Sequence, residues 1–317
     1  MRTFESELVC DLECVNTLAR HVGHYRGKML RPRLVLLSAM AVDAAWDARA
    51  QEVETLAAVV EMVHMATLVH DDVLDEADLR RGGATINRLR GNEAAVMLGD
   101  WLISHSYHLC ASLGRQDISR AVASATNTLC EGELLQLANR NNWDLSEAVY
   151  FDIIGRKTAA LTAASCRLPA LLGLADPEAA DAMGRFGWEL GVAFQVADDL
   201  IDMTASDAEA GKSTARDLAK GKLTLPLIRT LAQASGAGAA ELRAALDVLA
   251  GSAAGDAARA QATVQNAVAR ADGVGYAAGR ARERVAAACA ILTQAVADSP
   301  ARRFLLEKAG SVFERKR

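Results

Sequence analysis

The chain has 317 residues, a formal net charge of −5 and a hydrophobic fraction of 51%, with aromatic residues at only 4%. The acidic balance argues against a general nucleic-acid-binding protein, which normally carries a basic excess. Abundant alanine and only 5 prolines favour an all-α protein, and the length allows one large core. We therefore expect a single all-helical domain over residues 1–317.

The amino-terminal sequence and the cysteines bear on the cellular compartment. The first residues, MRTFESELVC, lack the basic-then-apolar pattern of a signal peptide. The best candidate for a membrane span, 158–175, contains Arg167 and Pro169 and is too polar to cross a bilayer comfortably. The 6 cysteines are scattered, and their spacing completes no zinc site. We expect a cytoplasmic protein with reduced thiols and no transmembrane segment.

Apolar residues recur at helical spacing along most of the chain. The pattern predicts helices over about 4–22, from Pro32 onwards, and over about 50–76, 92–113, 117–140, 146–155, 157–174 and 178–204. The polar, glycine-punctuated stretch 205–222 predicts a loop that orders over a ligand, and further helices follow from residue 223. The alanine-rich part, 238–297, keeps charged residues at intervals and is interpreted as packed helix rather than disorder.

Two of the predicted helices end in the same acidic pattern, Asp-Asp-x-x-Asp. It occurs at Asp71, Asp72 and Asp75, and again at Asp198, Asp199 and Asp202. Residues i and i+4 share a helix face, so the first and last aspartates of each cluster project together and repel one another. Carboxylate oxygens suit Mg²⁺, which bridges protein carboxylates to substrate phosphates. Two such helices facing one cavity would hold a diphosphate between metal ions.

Basic side chains accompany both clusters. Lys28 and Arg31 flank a predicted helix start, where free backbone N–H groups also favour an anion. His64 lies two turns before Asp71 on the same helix, either as a hydrogen-bonded core histidine or as part of the site. The other cations are Arg80 and Arg81 after the first cluster, Lys157 at a helix start, and Lys212 and Lys222 in or beside the second loop. Arginine binds phosphate through two N–H groups and lysine acts as a point charge, so this set predicts anionic substrates.

Three segments resemble the trans-prenyl diphosphate synthases, the polyprenyl synthetase family, and most closely its octaprenyl-type members. GKMLRP resembles the homoallylic-substrate motif, although Met29 stands where many members carry arginine. LVHDDVLDEADLRRGGATIN resembles the first aspartate-rich region, and FQVADDLIDM with GKSTARDLAKGKLTLPLI resembles the second. The resemblance implies a bundle of long antiparallel helices around a deep central cavity, assembled as a homodimer.

The resemblance also implies residue roles. It places Mg²⁺ on Asp71, Asp75 and Asp198, with Asp72, Asp199 and Asp202 as direct or water-mediated supports. It assigns the allylic diphosphate to Arg80, Lys157, Lys212 and Lys222, and isopentenyl diphosphate to Lys28, Arg31, His64 and Arg81, with Thr158 and Gln195 beside the substrate. Catalysis is expected to depend on Asp71, Asp72, Asp75, Asp198, Asp199, Lys157 and Lys212. Metal and cations stabilise the departing pyrophosphate, and the isopentenyl double bond attacks the allylic cation before a proton is lost.

Product length is expected to depend on side chains just upstream of the first cluster. Ala66 and Thr67 are small at positions where short-chain members carry bulk, and Met62 and Val63 lie about one turn deeper. These residues favour a medium- or long-chain polyprenyl diphosphate, made by repeated trans additions for a quinone side chain. So apolar a product would bring the protein transiently to a membrane surface.

Three alternatives stay open from the sequence. The chain could be a short-chain farnesyl or geranylgeranyl diphosphate synthase, a terpene cyclase, or a non-catalytic subunit of a heteromeric synthase. Cyclases usually lack a second complete aspartate cluster, and non-catalytic subunits tend to lose aspartates from one. Both clusters are complete here, which favours a complete synthase.

Overall fold

The computed structural model describes residues 2–25, 27–204, 218–251 and 253–313, and helices dominate it. The helices are α1 (Arg2–Glu7), α2 (Glu13–Val22), α3 (Leu30–Val42), α4 (Ala50–Leu74), α5 (Ile86–Ala111), α6 (Gln116–Ala138), α7 (Glu147–Ile154), α8 (Ala160–Pro169), α9 (Pro177–Thr204), α10 (Leu225–Gln233), α11 (Gly236–Leu249), α12 (Ala257–Arg270), α13 (Gly273–Ala295) and α14 (Pro300–Gly310). Two short strands, β1 (Leu79–Arg80) and β2 (Gly83–Ala84), pair as a hairpin. The all-α prediction is confirmed.

The chain forms two compact units, each assembled from separate stretches. Unit 1 comprises Met1–Asn127, Leu161–Gly187 and Ala290–Glu307, and unit 2 comprises Thr128–Ala160, Trp188–Cys289 and Lys308–Arg317. The single domain over 1–317 stays a prediction. The first aspartate cluster belongs to unit 1 and the second to unit 2.

Helix α4 forms the core of unit 1. It is apolar nearly all round, as expected of a buried helix, and it packs mainly against α5 and α3. Together with the preceding turn it spans Trp46–Leu74, the one stretch among the described residues long and apolar enough to cross a membrane. Within its most apolar window, 72% is buried inside the protein, as in the core helix of a soluble protein. The sequence pointed instead to 158–175, which forms α8 with its flanking turns.

Two predicted helices are interrupted. The single helix over 4–22 is wrong, because the chain leaves helical geometry between α1 and α2. There the Asn16 side chain accepts from the Cys10 N–H at 2.9 Å and donates to the Cys10 carbonyl at 2.8 Å, replacing helical hydrogen bonds. The helix over 157–174 is likewise divided, since π turns at Gly155–Ala159 and Ala170–Leu174 flank α8.

Helix α5 begins earlier than predicted. Thr85 caps its first turn by accepting the Arg88 N–H at 3.4 Å, and the helix runs from Ile86. The regular part starts only after Gly91, whose φ of 84° is not helical. Apolar periodicity detected this regular part, beginning at residue 92, and missed the turn before the kink.

Unit 2 is built around Trp143 and Tyr150 together with apolar residues from α9 to α13. Ala245, Ala277 and Ala281 are buried in this core. The described part of the alanine-rich region 238–297 therefore consists mainly of packed helices, as the spacing of its charges predicted. Small side chains permit close helix packing here, which accounts for a composition that otherwise looks low in complexity.

Candidate active site

The first aspartate cluster lies at the carboxyl end of α4. Asp71 and Asp72 occupy its last turn, and Asp75 caps the helix, with its N–H donating to the Asp71 carbonyl at 2.8 Å. The carboxyl end of a helix carries a partial negative charge, so acidic side chains there are unfavourable without a cation. The last turn of α4 contains no basic residue. Asp71 and Asp75 are half-buried and share a helix face, as predicted.

Asp72 has a different environment from Asp71 and Asp75. Its side chain is only 1% exposed, and its Oδ1 accepts from Arg80 Nε at 2.8 Å. Burial raises the pKa of the Asp72 carboxyl, while the Arg80 charge opposes that rise. Arg80 reaches this carboxylate because the β1–β2 hairpin turns the chain back at Arg81 and Gly82, both with positive φ, as two-residue hairpin turns require. Asp72 and Arg80 thus form a buried ion pair.

The cations predicted to bind isopentenyl diphosphate lie together in unit 1. The Arg81 guanidinium donates to the Tyr25 carbonyl and packs against Gly27, where any Cβ would stand 2.6 Å from Arg81 Nη2. Burial, together with the nearby charges of Arg31, Arg81 and Arg80, holds the pKa of His64 well below its ordinary range. His64 is therefore neutral, and the positive charge beside it resides on Arg31, Arg80 and Arg81. Lys28 is exposed just before α3.

A buried acid in the same region escaped sequence analysis. Glu61 is 3% exposed. Burial and the charge of Arg80 lower the pKa of Arg81, and the negative charge of Glu61 opposes that decrease. The sequence feature that could have indicated this buried acid is a single charged residue inside the apolar run VVEMVH. Buried carboxylates are normally paired, so such a residue points to a nearby cation.

The second cluster lies near the carboxyl end of α9, whose last turn also contains no basic residue. Asp198, Asp199 and Asp202 are half-buried. Asp199 accepts two hydrogen bonds, from the Tyr150 hydroxyl to Oδ2 at 2.6 Å and from Gln195 Nε2 to Oδ1 at 2.9 Å. The Thr158 hydroxyl donates to Gln195 Oε1 at 2.8 Å. Thr158 stands on the π turn, a geometry frequent at functional sites.

A cavity of about 170 Å³ opens beside this cluster, and all of its lining belongs to unit 2. Its polar lining is formed by Gln136, Asn139, Tyr150, Lys157, Thr158, Gln195, Asp199, Asp202, Lys222 and Thr224. Leu145, Ile153, Ile154 and Leu223 supply apolar walls. The predicted Lys157, Thr158, Gln195 and Lys222 thus meet at the second cluster, and the cavity combines carboxylates with two lysines.

One lysine of the cavity is paired with an acid, and the backbone next to the other is constrained. Lys157 Nζ forms an ion pair with Glu133, which also accepts from Gln136 Nε2 at 3.2 Å. Lys222 follows Gly221, whose carbonyl accepts the Asn141 N–H at 2.9 Å. Gly221 has a φ of 66°, and a Cβ there would lie 2.1 Å from Asn141 Oδ1, so the chain can reach this geometry only with glycine.

The described part of the structure does not connect two groups of predicted residues to the cavity: Lys212, and the residues expected to affect product length. Lys212 lies outside the described residues. Met62, Val63 and Ala66 are fully buried in α4, while Thr67 is half-buried and its hydroxyl donates to the His64 carbonyl at 2.7 Å. Their influence on product length, like the assigned roles of the other site residues, stays a prediction. Sequence analysis missed Tyr150 and Glu133, because nothing in the local pattern marks their partners 49 and 24 residues away.

The donor atoms at both clusters are oxygens of aspartate. Among the described residues, no three His, Cys, Asp or Glu side chains converge as a preformed metal site. Mg²⁺ does not need such a cage, because it keeps several waters and uses one or two carboxylates together with substrate phosphates. The donor chemistry therefore fits Mg²⁺ shared with a diphosphate, and it does not fit a structural zinc site.

Comparison with known proteins identifies the family. The polyprenyl synthetase family model matches residues 13–264. The octaprenyl diphosphate synthase of Escherichia coli is 37% identical over 241 residues, covering 76% of this chain and 73% of that protein. The crystal structure of a decaprenyl diphosphate synthase from Rhodobacter capsulatus matches with a TM-score of 0.88 and 31% identity, covering 100% of this chain and 94% of that one.

A second crystal structure carries ligands. It is a polyprenyl synthase from Caulobacter crescentus complexed with calcium and isoprenyl diphosphate, with a TM-score of 0.88, 30% identity, and coverage of 99% of this chain and 93% of that one. The family model covers well over half of the chain, and its range includes both aspartate clusters and the cations around them. The chain belongs to the polyprenyl synthetase family.

Proposed function

We propose that this chain condenses an allylic diphosphate with isopentenyl diphosphate in repeated head-to-tail trans additions, giving a medium- or long-chain polyprenyl diphosphate. The observation that carries the proposal is the pair of complete aspartate clusters. Each ends a helix without a basic residue in its last turn, and each has cations beside it. The similarity to octaprenyl and decaprenyl synthases supports a long product, and a quinone side chain is the use that fits such a product.

Mg²⁺ on these carboxylates would neutralise negative charge that develops on the departing pyrophosphate. Asp71 and Asp75 would hold it at the first cluster, and Asp198 and Asp202 at the second. Lys157 and Lys222 add fixed positive charge for the diphosphate oxygens. The diphosphate must compete with Glu133 for Lys157, because that lysine is already paired.

Residues of unit 1 would bind and orient isopentenyl diphosphate, the second substrate. Arg31 and Arg81 suit the diphosphate of isopentenyl diphosphate, because guanidinium groups donate to phosphate oxygens in pairs. His64 is neutral, so it can donate one hydrogen bond without adding charge. The mechanism needs no side-chain nucleophile, and the six cysteines, which are all free thiols, take no part in it.

One assay tests this function. The purified chain is incubated with Mg²⁺, labelled isopentenyl diphosphate and farnesyl or geranyl diphosphate, and the products are sized by chromatography. We expect incorporation that EDTA abolishes and that added Mg²⁺ restores. The same preparation, sized in solution, tests the homodimer that we propose.

The assay also separates the alternatives. Incorporation that stops at a product of 20 carbons or fewer would identify a short-chain synthase. Consumption of the allylic diphosphate without isopentenyl diphosphate would identify a cyclase. Activity that appears only after a second protein is added would identify a non-catalytic or partner-dependent subunit.

Bulk at position 66 is predicted to shorten the product. Ala66 is fully buried on α4, five residues before Asp71, so a larger side chain there would narrow the path of a growing chain. We expect the series Ala66→Val, Ala66→Leu and Ala66→Phe to give progressively shorter products at similar total incorporation. Chromatographic sizing measures the effect.

The same series needs a folding control, because overpacking a buried alanine costs about 1–3 kcal/mol. Thermal unfolding of each variant identifies those that remain folded at the assay temperature. Thr67→Phe provides a second test at a half-buried site that tolerates bulk better. Folded variants that keep the parent product length would show that neither residue lines the path.

A further inference from the structure

Tyr150 is a buried residue whose contacts connect it to the second aspartate cluster. It lies on α7 with 3% of its surface exposed, and it lines the cavity of unit 2. Its hydroxyl donates to Asp199 Oδ2 at 2.6 Å, a short distance typical of charge-assisted hydrogen bonds. Gln195 donates to the other oxygen of the same carboxylate at 2.9 Å. The Asp199 side chain is therefore held at both oxygens.

We propose that Tyr150 is a positioning residue, which holds Asp199 in the orientation that the second cluster needs to bind Mg²⁺ and a diphosphate. The proposal rests on the proposed function, because it concerns the same site. It assigns no reacting atom to Tyr150. The tyrosine acts through Asp199, and Asp199 acts on the metal or on its bound water.

The need for positioning follows from the chemistry of the site. The terminal torsion of an aspartate is broad, so an unrestrained carboxylate can turn toward any nearby donor. Lys157 and Lys222 line the same cavity, and their positive charge would attract a carboxylate that is not restrained. Mg²⁺ demands nearly ideal octahedral geometry, so a carboxylate that rotates away weakens its binding. Two donors on opposite oxygens define the carboxylate plane and prevent that rotation.

Tyr150 can restrain Asp199 because Tyr150 is itself held in place by its helix and by its neighbours. Ser146 caps α7 by accepting the Val149 N–H at 3.3 Å, and the Tyr150 ring meets Phe151 edge-on at 5.4 Å between centroids. Helix α7 continues directly into the π turn that carries Thr158. Thr158 in turn orients Gln195. One continuous stretch of chain, 147–159, therefore supplies Tyr150 and Thr158, the two hydroxyls that fix Asp199 directly and through Gln195.

Tyr150→Phe removes the hydroxyl and leaves the ring in the core, so it isolates the hydrogen bond. The measurement is the rise in melting temperature produced by Mg²⁺ with inorganic pyrophosphate, recorded over a range of Mg²⁺ concentrations. We expect the half-saturating Mg²⁺ concentration to rise about 10–100-fold, the usual effect of losing a partner that orients a ligand. In the condensation assay the Mg²⁺ requirement should rise likewise, with a smaller change in kcat at saturating Mg²⁺.

Tyr276→Phe is a matched control in the same unit. The Tyr276 hydroxyl donates to Glu147 at 2.6 Å, the same length and the same type of bond, but Tyr276 does not line the cavity. Its removal should leave the Mg²⁺ dependence of the wild type unchanged. If Tyr150→Phe behaves like Tyr276→Phe, the hydroxyl has only a structural role and the proposal is overturned.

A comparison with a double variant tests whether Tyr150 acts through Asp199. If Tyr150 acts through Asp199, adding Tyr150→Phe to Asp199→Ala should change the Mg²⁺ dependence no further. An additional shift of the same size as in the wild-type background would contradict the proposal. Should Tyr150→Phe melt too low for thermal shifts, calorimetric titration with Mg²⁺ and pyrophosphate in the cold gives the same comparison. Pyrophosphate binding does not require condensation, so failure of the proposed function would be seen separately in the incorporation assay.

Discussion

We expect Asp71→Ala and Asp198→Ala each to lower the rate of isopentenyl diphosphate incorporation by about 100- to 1,000-fold. Each substitution removes a carboxylate that we propose as an oxygen ligand of Mg²⁺, and so weakens the proposed stabilisation of the departing pyrophosphate. Initial rates at saturating Mg²⁺ and both substrates measure the loss. Asp47→Ala is the control, because Asp47 is an exposed aspartate on a short turn of unit 1, away from either cluster in the chain.

Denaturant unfolding in EDTA, without metal or substrate, shows whether the same variants remain folded. Full activity in Asp71→Ala would refute the proposed mechanism, whereas a large loss of stability would show that Asp71 supports the fold instead.

We expect Arg80→Leu to destabilise the protein by about 3–5 kcal/mol, because it leaves the buried Asp72 carboxylate without its cationic partner. The Asp72 side chain is 1% exposed, so its carboxylate has little access to solvent in the folded protein. Denaturant unfolding in EDTA measures the effect independently of substrate. Activity should fall as well, since Arg80 is predicted to contact the allylic diphosphate.

The hairpin region offers a matched control for Arg80. Arg88 and Asp78 form an ion pair at 3.7 Å, but their side chains are 67% and 73% exposed. Exposed pairs contribute about 0–1 kcal/mol, so Arg88→Leu should change stability little. Equal effects of Arg80→Leu and Arg88→Leu would show that the Asp72–Arg80 pair is not buried as the structure indicates.

The sequence alone determined most of the helices, the positions of the two clusters and the set of candidate cations. Apolar spacing located α3, α4, α6, α7 and α9 closely, because a helix of 3.6 residues per turn repeats its buried face regularly. The aspartate clusters were recognisable because like charges at i and i+4 on an apolar helix are unfavourable without a cation. These signals are local, and neighbouring residues suffice to read them.

The partners of the site residues depended on which elements pack against each helix face. Asp71 and Asp72 are adjacent and chemically identical, yet Asp72 alone is buried against Arg80, because successive helical residues point about 100° apart. The sequence also could not pair Tyr150 with Asp199, or Glu133 with Lys157, since both pairs join different elements. Periodicity identifies the residues that share a face, whereas tertiary packing decides which partner that face meets. The sequence thus determined which residues form the two clusters and predicted their chemistry, and the tertiary structure decided which aspartates are held in place and by what.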